Sequence, residues 1–183
     1  MDDLAVAVPL MEGFEEIEAV TIIDVLRRAN IKVIVAAKAP GLVTGAHDIG
    51  VQATDTLRDL RPESLAAIVL PGGMPGAKNL ANDERVQWLV EKMAQEGKLV
   101  AAICAAPMAI ASTKAHLGRK MTAYPGFETY LEGATVLSDR VVVDANMVTS
   151  RGPGTALDFA LTLVEKLRDQ KTALDLRKKM LVG

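Results

Sequence analysis

The stretch LVAAICAAPMAIA, residues Leu99 to Ala111, carries the clearest information about the fold of this chain. It begins as a short apolar run typical of a fully buried strand, and it continues in a helix-like pattern from Pro107 onward. Proline suits the first turn of a helix because its missing N–H needs no partner there. Cys104, the only cysteine in the chain, stands between the two parts. The stretch therefore predicts a strand, a turn that carries a thiol, and a helix.

The same alternation of strand and helix recurs along the chain. The strand-like segments include LAVAVP from Leu4, KVIVAA from Lys32 and LAAIVLP from Leu65, while helical patterns cover residues 15–30, 83–97 and 155–170. LVTGAHDIGVQA, residues 42–53, is typical of a hairpin. Apolar strands alternating with helices favour a parallel sheet covered on both faces. We therefore expect an α/β fold with a doubly wound, mostly parallel sheet sandwiched by helices, whose sites lie beyond the carboxyl ends of the strands.

Composition limits the classes of protein to which the chain can belong. Its 183 residues, 50% hydrophobic and 24% charged, predict one soluble domain over residues 1–183. A net charge of −2 without a basic stripe gives no nucleic-acid footprint. The longest apolar run has 13 residues, too short for a membrane span, and the acidic start is unlike a signal peptide. One cysteine excludes an internal disulfide and a multi-cysteine zinc site, so a reducing cytoplasm is the expected setting.

Cys104 has two interpretations. A free cysteine is commonly a small buried hydrophobe. A cysteine that ends a strand and precedes a helix instead resembles the nucleophile of an elbow turn, and the positive end of the helix dipole favours its thiolate. On that second interpretation we expect the pKa of the Cys104 thiol to lie below its ordinary value.

Two glycines follow another strand, in the segment LPGGMPGA. Gly72 and Gly73 can serve a tight turn, or their bare backbone N–H groups can face a pocket and stabilise an oxyanion. Together with Gly76 they loosely resemble a dinucleotide-binding turn, but the G-x-G-x-x-G spacing is not met.

A glutamate lies on the apolar side of the first helix. At about 100° per residue, Glu18 shares its stripe with Ile22, Val25 and Leu26. Burial of a carboxyl group raises its pKa, which would allow Glu18 to hold or exchange a proton with a nearby thiol. A solvated partner of the helix dipole is the simpler interpretation.

Three further residues have weaker signals. Arg151, in the turn TSRGPGT, is a candidate for contact with an anionic ligand. His47 and His116 do not have the spacing of a metal site, and no metal site is predicted.

Five segments together resemble the ThiJ/PfpI superfamily, most closely the branch of the parkinsonism-associated protein deglycase and bacterial YajL. The segments are EGFEEIEAV, IIDVLRRANIKV, IVLPGGMPGAKNL, VAAICAAP and VTSRGPGTALDFAL. The resemblance implies a flavodoxin-like α/β sandwich, a homodimer and no cofactor. It also implies a redox-sensitive nucleophile at Cys104, a protonated partner at Glu18, and oxyanion donors at Gly72 or Gly73 and at the N–H of Ala105.

The chain departs from the superfamily pattern at two positions. Tyr124 stands where many members have a histidine, so a Cys-His-acid triad and proteolysis are not expected. A tyrosine can still donate a hydrogen bond to a substrate oxygen. His47 stands where the branch often has an arginine, which weakens the case for anion recognition there.

Two functions are compatible with these residues. The first is a deglycase or glyoxalase III-type enzyme that converts methylglyoxal, glyoxal or early glycation adducts of amines and thiols to 2-hydroxy acids. The second is a redox-sensing or chaperone protein of the oxidative-stress response, in which Cys104 is oxidised without turnover. A nucleotide-binding module depends on the glycine turn alone.

Overall fold

A computed structural model describes residues 5–183, and a seven-stranded sheet lies at its centre. The strands are β1 Ala5–Pro9, β2 Val33–Ala37, β3 Gly41–Thr44, β4 Gly50–Ala53, β5 Asp55–Thr56, β6 Leu65–Leu70, β7 Leu99–Ile103, β8 Lys120–Met121, β9 Thr135–Val136, β10 Val141–Asp144 and β11 Met147–Ser150. The helices are α1 Glu16–Arg28, α2 Gly76–Asn82, α3 Glu84–Gln95, α4 Pro107–Ala111, α5 Ala156–Leu167 and α6 Gln170–Lys179. Leu4, expected at the start of the first strand, lies outside the described residues.

The sheet is mostly parallel, as the sequence predicts. Its strand order is β10-β11-β7-β6-β1-β2-β5, and every neighbouring pair is parallel except β10 with β11. At the middle of the sheet, Ala101 pairs with Val69 on one side and Val148 on the other, and all three are fully buried. Small and β-branched side chains at these positions let both faces of the sheet be covered by helices.

Helices flank the sheet in two packed groups. Helices α1, α5 and α6 form one group, and α2, α3 and α4 form the other. The apolar stripe of α1 is buried as expected, with Ile22, Val25 and Leu26 fully inaccessible to solvent. The core is therefore built from aliphatic side chains between helices and sheet.

The helix after Cys104 is shorter than the segment APMAIASTKA, residues 106–115, predicts. Helix α4 ends at Ala111, and turns follow it. The hydroxyls of Ser112 and Thr113 donate to the carbonyls of Ala109 and Ile110, and Lys114 adopts a left-handed conformation with φ of 65°. Such local side-chain hydrogen bonds compete with a continued helix, so the polar residues end it early.

The predicted hairpin is present as the antiparallel pair β3–β4. Beyond the core sheet, β8 and β9 form a separate parallel pair. No helix within residues 5–183 combines the length and apolar character needed to cross a membrane.

Candidate active site

Three parallel strands that are neighbours in the sheet bring the candidate residues together. Strands β7, β6 and β1 lie side by side, so their carboxyl ends meet at one edge of the sheet. Cys104 follows β7, Gly72 and Gly73 follow β6, and the loop after β1 leads into α1, which carries Glu18. The convergence expected from the strand–helix pattern is therefore present.

Cys104 occupies a constrained turn. Its φ is 64°, in the left-handed region that a residue with a side chain rarely adopts. The backbone is held there from both sides, because Cys104 N–H donates to the Ser150 carbonyl at 2.9 Å and its own carbonyl accepts from Tyr124 N–H at 2.9 Å. The residue is 9% exposed. This is the elbow geometry that the sequence pattern predicts.

Glu18 is fully buried beside this turn. Its Oε2 accepts a hydrogen bond from Gly72 N–H at 2.8 Å. Its Oε1 is sealed from solvent and has no hydrogen-bond partner among the described residues. The thiol of Cys104 lies close enough to lower the pKa of Glu18, against the larger rise that burial causes. Burial without a partner favours the protonated form of a carboxyl group.

Backbone N–H groups surround the sulfur. Those of Gly73 and Ala105 lie near the Cys104 thiol, where they lower its pKa and so favour its anionic form. The sequence left open whether Gly72 or Gly73 supplies the donor from the glycine turn. In the structure Gly72 N–H is used by Glu18, whereas Gly73 N–H lies near the thiol.

Gly72 leaves no room for a side chain between the two reactive groups. A Cβ atom added to Gly72 would lie 2.6 Å from Cys104 Cβ and 2.7 Å from Glu18 Oε2. The absence of a side chain thus permits the thiol and the carboxyl to approach each other. Gly72 has a spacing role in addition to its hydrogen bond.

The thiol pKa departs from the sequence expectation. Burial, followed by the charge and hydrogen bonding of Glu18, raises the pKa of Cys104 to about 12, against the opposing N–H groups of Gly73 and Ala105. Burial likewise raises the pKa of Glu18 to about 7. The expectation of a lowered thiol pKa was therefore wrong. It considered only the positive end of the helix dipole, and it left out burial of the thiol and the neighbouring carboxylate, which both raise the thiol pKa. The charge of Glu18 ceases to oppose the thiolate when Glu18 holds a proton.

Tyr124 and Arg151 lie at the edge of this arrangement. The Tyr124 ring lies against Gly152, where an added Cβ atom would be 3.2 Å from the ring. The ring also packs edge-on against Phe127, and Tyr124 is 45% exposed. The Arg151 guanidinium donates to the Ser138 carbonyl at 3.1 Å. The structure thus places the Tyr124 backbone against Cys104, whereas the Arg151 side chain is engaged elsewhere.

Neither histidine is hydrogen-bonded to Cys104. The His47 ring lies 2.9 Å from Glu16 Oε2, and His116 Nε2 lies 3.0 Å from the Glu132 carbonyl. A Cys-His pair is accordingly not formed by the described residues.

Sequence reasoning missed the part played by Glu15. Its Oε2 accepts from Glu18 N–H at 2.7 Å, so Glu15 caps α1 and fixes the backbone of Glu18. Glutamate is not among the preferred N-cap residues, and the pattern alone gave no signal for this role.

Hydrogen bonds between backbone groups join the loops after β1 and β6. Glu15 N–H donates to the Gly72 carbonyl at 2.9 Å, and Gly76 N–H donates to the Gly13 carbonyl at 3.1 Å. Gly73 has a φ of 89°, and a Cβ there would lie 2.3 Å from Glu15 N. Glycine is needed at Gly73 for both its conformation and this close approach. The two loops are thereby locked together around the site.

A cysteine on a strand-to-helix elbow beside a buried glutamate, at the strand ends of a parallel sheet, defines a class of flavodoxin-like α/β proteins. The chain belongs to the DJ-1/PfpI family, whose sequence pattern matches residues 5–166.

Similar proteins cover nearly the whole chain. It is 41% identical to DJ-1 homolog B of Arabidopsis thaliana over 97% of this chain, and 33% identical to a deglycase of Pyrococcus abyssi over 86% of this chain. The matched regions span 41% of the plant protein, which is less than half of its length, and 95% of the archaeal one. The crystal structure of Drosophila melanogaster DJ-1beta superposes with a TM-score of 0.95 at 35% identity and covers 99% of both chains. The flavodoxin-like fold and the superfamily resemblance are confirmed.

Proposed function

We propose that this protein is a cysteine-dependent, cofactor-free deglycase of the glyoxalase III type. Its substrates would be methylglyoxal, glyoxal or early glycation adducts of amines and thiols, and its products 2-hydroxy acids. The observation that carries the proposal is the placement of Cys104, on its left-handed elbow turn, beside the fully buried Glu18 carboxyl, with only the bare Gly72 backbone against both. The nearby N–H groups of Gly73 and Ala105 favour the thiolate. The deglycase name of the Pyrococcus abyssi relative supports the same reaction class.

The first step is addition of sulfur to the aldehyde. Glu18, as the carboxylate, takes the thiol proton while the sulfur forms a bond to the aldehyde carbon. The carbonyl electron pair moves to oxygen, where the N–H groups of Gly73 and Ala105 stabilise the developing alkoxide. Glu18 then returns the proton to that oxygen, which leaves a hemithioacetal. A thiol with a raised pKa can react in this way because its proton goes directly to the adjacent carboxylate.

The second step moves a hydrogen between neighbouring carbons. Glu18 removes the proton from the former aldehyde carbon, and the electron pair shifts to the ketone oxygen, which gives an enediolate. Glu18 returns this proton to the adjacent carbon while the hydroxyl proton on the former aldehyde carbon moves to the enediolate oxygen. The product is the thioester of a 2-hydroxy acid. Water cleaves the thioester, releasing the acid and the Cys104 thiol. A carboxyl with a pKa of about 7 can both accept and donate a proton near neutral pH.

The surroundings of Cys104 argue against a protease. Neither histidine hydrogen-bonds to the thiol, and the exposed Tyr124 occupies the position where many members carry a histidine. A neutral phenol is a poor general base because its ordinary pKa is near ~10.

A redox function is the second candidate, and the sealed Oε1 of Glu18 favours it. A protonated Oε1 can donate to an oxygen of a Cys104 sulfinate, and the N–H groups of Gly73 and Ala105 can hold its charge. This candidate is a redox-sensing or chaperone protein of the oxidative-stress response that lacks turnover. Either function suits a reducing cytoplasm, which a single free thiol favours.

We also propose a homodimer. Ile17 and Val20 on α1 are 58% and 46% exposed, and Ile49, 58% exposed, lies on the turn whose N–H contacts Glu16. Exposed apolar side chains grouped in this way are typical of an interaction surface.

Turnover of methylglyoxal tests the enzyme proposal. Purified protein, without glutathione and in metal-stripped buffer, is expected to produce D- or L-lactate catalytically, and Cys104→Ser is expected to reduce the rate to background. Lactate formation by Cys104→Ser at the wild-type rate would contradict the proposal. An inactive wild-type protein that is oxidised at Cys104 in a Glu18-dependent manner would favour the redox function.

A further inference from the structure

The turn TSRGPGT, residues 149–155, contacts both supports of the Cys104 backbone. On one side, Cys104 N–H donates to the Ser150 carbonyl at 2.9 Å. On the other side, Tyr124 N–H donates to the Cys104 carbonyl at 2.9 Å, and the ring of Tyr124 lies against Gly152. The position of the elbow therefore depends on how Ser150 and Gly152 are held.

The hydroxyl of Thr155 ties these two residues together. Thr155 Oγ1 lies 2.6 Å from Ser150 Oγ, and it accepts a hydrogen bond from Gly152 N–H at 3.1 Å. The same oxygen lies 2.9 Å from the Gly152 carbonyl, which also accepts from Thr155 N–H at 2.9 Å. One side chain thus contacts both residues through which the turn touches the elbow.

The two hydroxyls form a chain in which each proton has an acceptor. Ser150 Oγ donates to the Arg140 carbonyl at 2.7 Å, Thr155 Oγ1 can then donate to Ser150 Oγ, and Gly152 N–H donates to Thr155 Oγ1. Ser150 and Thr155 are both buried, so water does not readily replace a lost partner. Because a buried polar group without a partner is costly, this chain favours one arrangement of the turn.

The conformation of Cys104 requires support of this kind. A residue with a side chain rarely adopts a φ of 64°, and such a conformation persists only where the surrounding structure holds it. If the Ser150 carbonyl shifted, Cys104 N–H would lose its acceptor and the turn could relax. The sulfur would then leave its buried position beside Glu18.

We propose that Thr155 is a positioning residue for the Cys104 thiol. Its hydroxyl fixes Ser150 and Gly152, and these two residues hold the elbow turn. The described hydrogen bonds of this hydroxyl go to Ser150 and Gly152, so Thr155 acts on the thiol through them. The expected effect on turnover rests on the proposed function, whereas the expected effect on the thiol itself does not.

Alkylation of Cys104 by iodoacetamide across a range of pH, followed by mass spectrometry of the reduced full-length protein, tests this role. Thr155→Val keeps the shape of the side chain and removes the hydroxyl. It is expected to raise the alkylation rate at pH 7 by roughly tenfold or more, because a relaxed turn exposes the thiol and lowers its raised pKa. Thr155→Ser keeps the hydroxyl and is expected to stay within about threefold of wild type.

Thr162→Val is the matched control for loss of a threonine hydroxyl. Thr162 lies on α5, where its Oγ1 donates to the Asp158 carbonyl at 2.8 Å. Its alkylation profile is expected to match that of wild type within about threefold. In the kinetic measurement, Thr155→Val is expected to lower kcat/KM for methylglyoxal by roughly tenfold or more, since a displaced nucleophile reacts poorly, and Thr155→Ser is expected to restore it.

A second pair of variants covers the case in which Thr155→Val does not fold. Ser150→Ala removes the other hydroxyl of the pair and keeps the carbonyl that holds Cys104. Its alkylation rate is expected to rise in the same way. Ser112→Ala is its control, because Ser112 Oγ donates to the Ala109 carbonyl at 2.8 Å in the turn after α4.

The alkylation profiles decide the proposal without reference to turnover. An alkylation profile of Thr155→Val, or of Ser150→Ala in its place, that equals the wild-type profile overturns it. Equal acceleration in the variant and its control, or in Thr155→Val and Thr155→Ser, overturns it as well. A wild-type protein that does not turn over methylglyoxal would contradict the proposed enzyme, and the profiles would still show whether the Thr155 hydroxyl holds the thiol in place.

Discussion

The carboxyl oxygen Oε2 of Glu18 lies 2.8 Å from the backbone nitrogen of Gly72, although 54 residues separate them in the chain. This hydrogen bond ties the first helix to the glycine turn and sets the carboxyl beside the sulfur of Cys104. The bond leaves Oε1 as the oxygen that can exchange a proton. Replacements at Glu18 and Gly72 therefore test separate properties, namely proton exchange and spacing.

Glu18→Gln is expected to lower kcat/KM for methylglyoxal by roughly 10²- to 10⁴-fold. The amide keeps an oxygen acceptor for Gly72 N–H but cannot carry a proton between substrate atoms. Glu18→Leu is expected to be at least as inactive and to alter the oxidation products of Cys104, which mass spectrometry after peroxide treatment measures. Activity of Glu18→Gln within threefold of wild type would show that Glu18 has only a structural role.

The raised pKa of Glu18 makes stability depend on pH. Burial raises this pKa from 4.5 to about 7, so between these values the folded protein keeps a proton that the unfolded chain has lost. The free energy of unfolding therefore falls as the pH rises through this window, by on the order of 3 kcal/mol for this group. In Glu18→Gln this contribution is absent.

Urea unfolding of both proteins at pH 5 and pH 8, in chelator-treated buffer, measures this effect. Glu18→Gln is expected to gain stability relative to wild type on going from pH 5 to pH 8. An equal difference between the two proteins at both pH values would mean that the carboxyl pKa is the same in the folded and unfolded states.

Gly72→Ala is expected to reduce kcat/KM by roughly tenfold or more and to destabilise the fold by about 1–3 kcal/mol. The added methyl group would press on both Cys104 Cβ and Glu18 Oε2. Gly154→Ala is the matched control, because a Cβ at Gly154 meets no atom within 4 Å. Equal effects of the two substitutions would indicate a general cost of replacing a loop glycine, without a spacing role for Gly72.

Tyr124→Phe is expected to cost at most about tenfold in kcat/KM, or about 1.4 kcal/mol in the activation barrier. The ring is 45% exposed and its packing against Phe127 does not require the hydroxyl. Cys104→Ser is the reference for complete loss, and near-ultraviolet circular dichroism checks the packing of both variants. If Tyr124→Phe lost as much activity as Cys104→Ser, the hydroxyl would be an acid or base in the reaction, and the assignment of proton transfer to Glu18 would be wrong.

Ile17→Glu is expected to convert a homodimer to a monomer, as measured by light scattering after size-exclusion chromatography. A buried, unpaired charge at the interface is costly. Leu174→Glu on α6 is the matched control, since Leu174 is 48% exposed and lies outside the proposed surface. A monomeric wild-type protein, or a dimer that survives Ile17→Glu, would contradict the proposed interface.

Patterns with a regular period predicted the fold and placed Glu18 on the apolar stripe of its helix, although they left open whether it is buried or solvated. The apolar stripe of α1 placed Glu18 among Ile22 and Val25, and its complete burial follows from that geometry. The mostly parallel sheet and the shared edge formed by its carboxyl ends also followed from the alternation of elements. These features depend on local periodicity and on the handedness of strand connections, which a sequence displays directly.

Contacts between distant loops could not be predicted in the same way. The thiol pKa depends on how deeply Cys104 lies and on the distance to Glu18, neither of which is periodic. The meeting of His47 with Glu16 depends on how the β3–β4 loop folds over α1, and the early end of α4 depends on hydroxyl groups that compete with the helix. Each of these results comes from tertiary packing or from individual side-chain hydrogen bonds.

The close contact between Gly73 and the backbone of Glu15 joins the loops after β1 and β6, and it affects the size of substrate on which the proposed reaction can act. A two- or three-carbon aldehyde has few atoms, and a ligand of that size offers only a few kcal/mol of binding energy. It cannot also drive the ordering of a mobile loop before reaction. Because Gly73 packs directly against the Glu15 backbone, the two loops are already ordered in the folded protein before any substrate binds. For the proposed reaction, the protein would therefore present its groups already assembled to a substrate too small to assemble them.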